Sequence, residues 1–378
     1  MVKPILACVF LSCVSIAMSA QTVCFNEFDT KTGNPSKAVI FDSNHDGKLD
    51  LGLIASASQG FAVNIDSLLG NGSGGFSKVK AYHGPPTPEA LAAGDFNGDG
   101  NVDLAIAFNT SNTAGVVAIL LGNGDGTFGN VHQISTTEPA VAIIAGDFNG
   151  DGKLDVAVTT GPYASTPDDI ELLLGNGDGT LKAPTVVTSL RWYTTALSVA
   201  DLNADGKLDL ISDGGNTNNN SQVVTVLLGN GNGTFQSPTT YTAASLTVAQ
   251  TIAIADLNGD GKLDVAVPGG AGMDIFFGTG TGTLTGPTSV STPTSPLSIA
   301  ALDIFGNGSQ DLVTSDGSGA PQIDISINNG AGSFTSQAYT VLGTNYYVYA
   351  SDFNNDGKTD ILILYSGDAR VGVLLNCS

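Results

Sequence analysis

The acidic residues of this chain recur in one pattern, D-x-N-x-D-G-x-x-D. Oxygen-bearing side chains occupy positions 1, 3, 5 and 9 of the pattern, and glycine occupies position 6. Calcium is a hard cation that takes roughly six to eight oxygen ligands, and the backbone carbonyl of position 7 can supply one of them. Alternate side chains converge on one point only if the chain curls tightly, and the glycine permits the positive φ that this needs. The pattern therefore predicts calcium-binding loops.

Six copies of this loop are complete, so we expect about six calcium ions per chain. The predicted ligands, with position 7 contributing its carbonyl, are Asp42, Asn44, Asp46, Lys48, Asp50, Asp95, Asn97, Asp99, Asn101, Asp103, Asp147, Asn149, Asp151, Lys153, Asp155, Asp201, Asn203, Asp205, Lys207, Asp209, Asp256, Asn258, Asp260, Lys262, Asp264, Asp352, Asn354, Asp356, Lys358 and Asp360. Aspartate, asparagine and glycine also favour ordinary turns, which would explain one copy but not six with an acid at position 9.

A seventh copy, DIFGNGSQD, begins at Asp303, and two of its ligands are lost or weakened. Phe305 stands at position 3 and Asn307 at position 5. We expect this loop to bind calcium weakly or not at all, and to keep its shape through turn chemistry.

The surrounding sequence excludes the EF-hand. That motif closes with glutamate at position 12 and lies between helices, whereas these loops close with aspartate at position 9. The segments that follow, such as LDLGLIA and LDVAVTT, are short apolar runs typical of strands.

A glycine-rich motif follows each of the first six loops, as in LLGNGDGTF, and its N-G and D-G pairs predict hairpin turns. The same letters resemble part of a calcium-binding β-helix nonapeptide, but that repeat recurs every nine residues and this motif recurs once per unit.

Each unit of about 50 residues therefore reads strand, acidic loop, strand, variable loop, strand, glycine turn, strand. Four strands per unit predict a propeller blade. Seven copies predict an all-β, seven-bladed β-propeller with calcium-binding loops in its blades, spanning 21–378 as one domain.

The acidic loops and G-x-G-T-F turns make the chain similar to the FG-GAP/VCBS repeat proteins, including the N-terminal β-propellers of integrin α subunits. The resemblance extends over nearly everything after residue 21, although no repeat contains a complete GAP tripeptide. It implies calcium loops that join the first two strands of each blade, on the face away from the ligand. Integrin-type adhesion does not follow from it.

The N-terminus predicts secretion. Residues 1–20 combine one lysine, an apolar stretch and small final residues, which is the pattern of a signal peptide. The apolar stretch is too short to span a membrane. Cleavage would remove Cys8 and Cys13 and leave Cys24 and Cys377. An even pair in a secreted protein predicts a disulfide, with two unrelated thiols as the alternative.

The two ends of the chain are also predicted to pair. The last repeat stops without a fourth strand, and the N-terminal TVCFNEF belongs to no repeat. We therefore predict that residues 22–28 pair with Val371–Asn376 and complete the last blade.

Charge and residue types limit the function. The net charge of −22 comes mostly from the acidic loops and opposes nucleic-acid binding, which needs a basic surface. The chain has only three histidines, His45, His83 and His132, and no nucleophile motif. We predict a non-catalytic protein that has no membrane span and is a monomer. A polysaccharide-active enzyme using a loop carboxylate pair is an alternative.

Several aromatic side chains fall in or beside the variable segments and form the predicted ligand surface. They are Tyr82, His83, Trp192, Tyr193, Tyr346 and Tyr347. Exposed rings can bind a sugar face or an apolar group of a protein, and the same rings can instead cover the ends of the blades. The predicted function is a secreted, calcium-binding scaffold for a protein or glycan partner. A propeller lectin is the alternative, but repeated pockets are expected in a lectin and the variable segments differ between repeats.

Overall fold

The structure is a computed structural model. It describes residues 23–56, 63–83, 87–161, 168–190, 192–216, 221–244, 249–344 and 346–378. The predicted signal peptide, residues 1–20, lies outside the described residues. The described part of the chain contains no helix long and apolar enough to cross a lipid bilayer.

Seven four-stranded antiparallel sheets make up the fold, so the predicted all-β, seven-bladed propeller is confirmed. Blade 1 contains β2 (Asn34–Phe41), β3 (Asp50–Ser56), β4 (Val63–Gly70) and β5 (Phe76–His83); blade 2 contains β6 (Pro88–Gly94), β7 (Asp103–Ser111), β8 (Ala114–Gly122) and β9 (Phe128–Ser135); blade 3 contains β10 (Ala140–Gly146), β11 (Asp155–Thr160), β12 (Asp168–Leu173) and β13 (Thr185–Leu190); blade 4 contains β14 (Tyr193–Ala200), β15 (Asp209–Asn216), β16 (Ser221–Leu227) and β17 (Thr239–Thr242); blade 5 contains β18 (Ala253–Ala255), β19 (Asp264–Gly269), β20 (Gly272–Gly278) and β21 (Leu284–Ser291); blade 6 contains β22 (Ile299–Leu302), β23 (Asp311–Ser315), β24 (Gln322–Asn328) and β25 (Phe334–Thr340); blade 7 contains β26 (Tyr347–Ser351), β27 (Asp360–Tyr365), β28 (Arg370–Asn376) and β1 (Phe25–Lys31).

Blade 7 is built from both ends of the chain, as predicted. Strand β1 pairs antiparallel with β28, from Phe25 opposite Asn376 to Lys31 opposite Arg370. The paired segment therefore begins and ends three residues later in the chain than the predicted 22–28. A disulfide joins Cys24 to Cys377 across 353 residues of chain. This confirms the predicted bond and excludes two separate thiols.

The second strand of each blade is apolar on both faces because another blade packs against each face. Strand β3 shows the arrangement: Leu51, Leu53 and Ala55 join a core cluster shared with blade 7, whereas Ile54 joins one shared with blade 2. A cluster of this kind fills the space between every pair of neighbouring blades, including blades 7 and 1. The outer strands, such as β9 and β21, are mostly exposed.

The propeller has two different faces, since alternate connections of an antiparallel sheet lie at opposite ends. The acidic loops between first and second strands share one face with the glycine turns between third and fourth strands. We call it the Asp-loop face. The other face carries the remaining loops and the segments that cross from one blade to the next, and we call it the crossover face.

Buried acids on the third strands hold several of these crossing segments. Glu171 accepts the backbone N–H of Thr137 at 3.1 Å, in the crossing from blade 2 to blade 3. Asp274 accepts that of Ala244 at 2.7 Å, in the crossing from blade 4 to blade 5. Asp168 accepts that of Thr194 at 2.6 Å. These carboxylates satisfy backbone donors that the sheets leave unpaired.

Asp168→Asn is expected to flatten the dependence of stability on pH between about pH 4 and pH 6. Burial, opposed by the Thr194 hydrogen bond and assisted by the charge of Asp169, raises the pKa of Asp168 from 3.8 to about 6. Because the folded-state pKa is raised, the ionised form disfavours folding. The free energy of unfolding therefore falls as pH rises through this window, by on the order of 2 kcal/mol.

Urea denaturation of wild type and variant at several pH values measures this effect. Asparagine still accepts the Thr194 N–H through its carbonyl oxygen, so the fold should be retained. Asp169→Asn, at the neighbouring and partly exposed position, is the matched control and should change the slope less. Equal slopes for wild type and Asp168→Asn would contradict the prediction.

Candidate functional site

The acidic loops are held by hydrogen bonds from their own backbone, as the blade 3 loop shows. Asp147 Oδ1 accepts the N–H of Asp151 at 3.2 Å, and its Oδ2 accepts that of Gly152 at 2.8 Å. Asn149 Oδ1 also accepts the Asp151 N–H, at 2.8 Å. Asp151 Oδ1 accepts the N–H of Lys153 at 3.0 Å. These bonds bring the oxygens of positions 1 and 3 to the same backbone N–H and fix the side chains of positions 1, 3 and 5.

Two positions in each loop adopt the left-handed backbone conformation. Position 6 is glycine with positive φ in every loop, as predicted; in blade 3, Gly152 has φ of 79°. Position 4 is also left-handed, and there the residue is not always glycine: Ala204 has φ of 55° and His45 of 59°. The left-handed position 4 was not predicted, although glycine occupies it in four of the seven copies.

The aspartate at position 9 connects three strands of its blade. In blade 3, Asp155 is fully buried; its Oδ2 accepts the N–H of Phe148 at 3.1 Å, and its Oδ1 accepts that of Gly175 at 2.8 Å. The first bond closes the acidic loop, and the second holds the glycine turn that follows the third strand. The same pair of bonds occurs in all seven blades. Position 9 thus has a structural role that the sequence analysis did not foresee.

The charges in each complete loop favour a cation. Burial raises the pKa of Asp155, two backbone N–H bonds oppose the change, and the charges of Asp151 and Asp147 raise it further. The pKa values of the position 9 aspartates in blades 2, 4, 5 and 7 are raised for the same reasons. Three carboxylates therefore repel one another within one short loop, and a cation among them would remove that repulsion.

The donor set also fits calcium, because it contains oxygen atoms alone. Among the described residues, no three acidic, histidine or cysteine side chains are grouped closely enough to hold a metal by themselves. Each loop would also need the asparagine oxygen of position 3 and the carbonyl of position 7, both of which calcium accepts. Each position 9 oxygen accepts one N–H, and all of them except Asp50 Oδ2, which also accepts the Ser43 hydroxyl, keep a second lone pair for a cation.

The blade 6 loop keeps this backbone arrangement with fewer charges. Asp303 accepts the N–H groups of Asn307 and Gly308 at 3.0 and 2.7 Å, and Asp311 accepts those of Ile304 and Asn328 at 3.1 and 2.8 Å. Burial raises the pKa of Asp311 to about 6. The same fold with two carboxylates shows that turn hydrogen bonds suffice to shape this loop.

Neighbouring blades are tied together through position 2 of the loops. The carbonyl of Phe148 accepts the N–H of Gly233 from the glycine turn of blade 4 at 2.9 Å. In blade 7, Asn376 Nδ2 reaches the carbonyl of Ile304 in the blade 6 loop at 2.7 Å. Related bonds lead from the loops of blades 1, 2 and 5 to the next blade. Each of these loops is therefore positioned by two blades.

The predicted ligand-surface residues lie in different environments. Tyr82 packs in the core between blades 1 and 2, and Trp192 packs beside the core between blades 3 and 4. Tyr193 is half-buried at the start of β14, and Tyr346 is exposed. His83 ends β5 opposite Asn64.

Tyr347 lies at the inner end of blade 7 and takes part in a polar group on the crossover face. Its hydroxyl donates to Gln250 Oε1 at 2.8 Å, and the Lys37 ammonium lies 4.6 Å from its ring centre. Tyr349 stacks beside it, with ring centres 6.5 Å apart. Tyr347 was predicted as a ligand-surface residue. Lys37 and Gln250 come from other repeats and have no sequence pattern that relates them to it.

Solved structures share this fold. A lectin from Agrocybe aegerita, described as specifically recognising non-reducing terminal N-acetylglucosamine, aligns with a TM-score of 0.54 and 19% identity over 92% of this chain and 86% of that one. The propeller of Dos1 aligns with a TM-score of 0.56 and 11% identity, over 93% and 95% of the two chains. At these identities the likeness concerns the fold alone.

Sequence comparison identifies the repeats themselves. No curated protein matches the chain significantly. A family model described as the FG-GAP-like repeat matches residues 42–106, 95–158, 162–212, 215–267 and 306–363, which together exceed half of the sequence. The chain therefore belongs to the FG-GAP-like repeat family.

Proposed function

We propose that this protein is a secreted, non-catalytic recognition scaffold whose blades are stabilised by calcium. The observation that carries the proposal is the repeated acidic loop, in which hydrogen-bonded oxygens and mutually repelling carboxylates are arranged in six blades around a closed ring. A ring closed by strand pairing and a disulfide sets the positions of the strand ends from which the differing loops of the crossover face extend. Function in such folds commonly lies on the loops.

The roles of the acidic side chains support a non-catalytic function. The aspartates of positions 1, 5 and 9 accept backbone N–H groups of their loops and, at position 9, of the glycine turn after the third strand. The buried acids of the third strands accept N–H groups from crossing segments. These carboxylates are therefore committed to positioning the backbone, and a polysaccharide-active enzyme would need a carboxylate pair with a different role.

In this proposal, the side chains of positions 1, 3, 5 and 9 and the carbonyl of position 7 hold one calcium ion per complete loop. The ion would neutralise the loop and tie its first and last residues together. Metal analysis of dialysed protein should give about six calcium ions per chain. Asp151→Ala should reduce the count by one, because each blade supplies its own ligands. A count of two or fewer in the wild type would refute the proposal.

A matched pair of position 9 variants separates the structural role of this aspartate from metal binding. Both Asp155→Ala and Asp311→Ala leave two buried N–H groups without their acceptor, so each should lower the free energy of unfolding by about 2–4 kcal/mol. Only Asp155→Ala should also lose a calcium ion, since the blade 6 loop is expected to hold none.

Urea denaturation with calcium and with chelator measures both contributions. The stability of Asp311→Ala should depend on calcium as strongly as that of the wild type, and Asp155→Ala should depend on it less. A lower calcium count for Asp311→Ala would show that the blade 6 loop binds metal.

The partner in this proposal is a protein or a carbohydrate. One feature favours carbohydrate: a cavity of about 130 Å³ between blades 2 and 3 has His132, Gln133 and Thr180 beside apolar Ile134 and Leu181. Polar groups beside apolar side chains suit a sugar ring, which a cavity of this size can hold only in part. A glycan array with calcium-loaded protein tests this alternative. Binding that His132→Ala abolishes would support a lectin, and an array without binding would favour a protein partner.

A further inference from the structure

The first strands of the blades surround a central channel that contains a cavity of about 480 Å³. Most residues along it are apolar in type, among them Ile40, Leu197 and Ile252, and the unpaired edges of the first strands add backbone polar groups to the lining. A volume of this size falls within the range of roughly 300–1,000 Å³ that is usual for small-molecule sites. A mixed lining of this kind suits a ligand that has both an apolar body and a polar group.

Polar side chains from three blades meet at the mouth of this channel, on the crossover face. Gln250 lines the cavity from the segment entering blade 5, and its backbone N–H donates to Leu297 O at 2.8 Å, which fixes the segment. Gln250 Oε1 lies 3.5 Å from Lys37 Nζ of blade 1 and accepts the Tyr347 hydroxyl of blade 7. Blade 5 is not a neighbour of blade 7 or of blade 1 in the ring. The contacts of Gln250 with Tyr347 and Lys37 therefore reach across the channel.

Lys37 is the charged member of this group and lacks an ionic partner there. It is half-buried, and among the described residues no carboxylate lies within ion-pair distance of its ammonium group. Burial lowers its pKa to about 8, and the more distant charge of Glu89 opposes the change. The group therefore remains largely protonated at neutral pH. A partly desolvated ammonium without a counter-ion stabilises an incoming anion more than an exposed lysine does.

Two further donors point to the same chemistry. The amide of Gln250 has an N–H₂ group in addition to the oxygen that Lys37 and Tyr347 contact, and Gln250 lines the cavity. Tyr349 also lines the cavity; its hydroxyl oxygen accepts the Ala38 N–H at 3.1 Å, which leaves its O–H as a donor. The ammonium of Lys37 and the adjacent amide of Gln250 together form a donor set for a carboxylate.

We propose that the channel binds an apolar carboxylic acid, with the carboxylate at Lys37 and Gln250 and the apolar body inside the channel. The acid can be a free organic acid or the C-terminal residue of a peptide, since both present a carboxylate next to an apolar group. This site is separate from the calcium loops and from the rim loops of the proposed function.

Calorimetry with matched probes tests the proposal. Hexanoate should bind about 10-fold or more tightly than hexanamide, which has the same shape without the charge, because a charge-assisted hydrogen bond would be lost. N-acetyl-Ala-Leu with a free C-terminus, compared with its carboxamide, tests the peptide source. Tighter binding of the peptide acid than of hexanoate assigns the site to a chain terminus, and the reverse assigns it to a free acid.

Two variants locate the site. Lys37→Met keeps the aliphatic stem and should weaken carboxylate binding about 10-fold or more, whereas Lys182→Met, at an exposed lysine of blade 3, should leave it unchanged. Gln250→Glu places a carboxylate beside Lys37 and should abolish carboxylate binding while the melting temperature is maintained. This second variant keeps the proposal testable if Lys37→Met fails to fold.

Three results would overturn the proposal: equal binding of hexanoate and hexanamide, no binding of either carboxylate to the wild type, or unchanged binding in Gln250→Glu. None of them affects the calcium count or the glycan array, so failure here is distinguishable from failure of the proposed function.

Discussion

Removal of calcium is expected to lower the melting temperature of this protein by roughly 10 °C. A ligand that binds the native state alone adds about 1.4 kcal/mol per site at a tenfold excess over its dissociation constant, or about 8 kcal/mol for six sites. For a chain of this size that energy corresponds to a shift of roughly 10 °C. Loops of this kind in extracellular proteins bind calcium at roughly 10⁻⁴–10⁻³ M, so the effect should develop over millimolar calcium.

The measurement is calorimetry or circular dichroism with and without EGTA, at constant ionic strength. Sodium chloride at matched ionic strength is the control, because screening alone weakens repulsion among the loop carboxylates. A variant with Asp147→Asn and Asp151→Asn in the blade 3 loop should show a smaller calcium dependence than the wild type. A melting curve that EGTA leaves unchanged would count against calcium stabilisation.

Cys24→Ser is expected to cause the largest loss of stability of any single substitution considered for this chain. The disulfide restricts an unfolded loop of 353 residues, for which chain entropy gives about 6 kcal/mol. Measured values often fall below this limit. The loss should appear as a lower urea midpoint without a change in calcium stoichiometry, since neither cysteine is a predicted ligand and the pairing of β1 with β28 still positions Asn376 against Asp360.

The double variant Cys24→Ser with Cys377→Ser is the control for Cys24→Ser, because it leaves no free thiol at these positions to form intermolecular bonds. The single and double variants should be equally destabilised when both are monomeric. Strand pairing between β1 and β28 should persist in both, since seven residue pairs and the Arg370–Asp29 contact at 3.5 Å remain. Mass spectrometry of non-reduced protein must show the bond; two free thiols would contradict it.

Features that repeat along the chain were predictable from sequence. The acidic loop, the glycine turn and the apolar second strand recur in each unit, so their shared pattern predicts strand order, blade number and the left-handed glycine of position 6. Closure was predictable because the last repeat lacks a strand and the N-terminal segment has no repeat.

Features that depend on contacts between units were not predictable in this way. Glu171 and Asp274 look like exposed acids in their strands, and their burial follows from segments about 30 residues away that cross over them. The two N–H bonds of Asp155 likewise join parts of the blade that only folding brings together. Lys37, Gln250 and Tyr347 come from blades 1, 5 and 7, and no local pattern relates them.

Closure through blade 7 also determines when the molecule can be completed during synthesis. Strands β26 to β28 are the last to be made, whereas their partner β1 is made first and has no other sheet to join. Until residue 376 is available, β1 is unpaired and blade 1 has no blade 7 to cover its apolar face. Exposed edges and apolar faces of this kind promote aggregation. A chain shortened by even its last strand would therefore lose the closure of the whole ring, whereas removal of an end repeat from a linear array affects its neighbour alone.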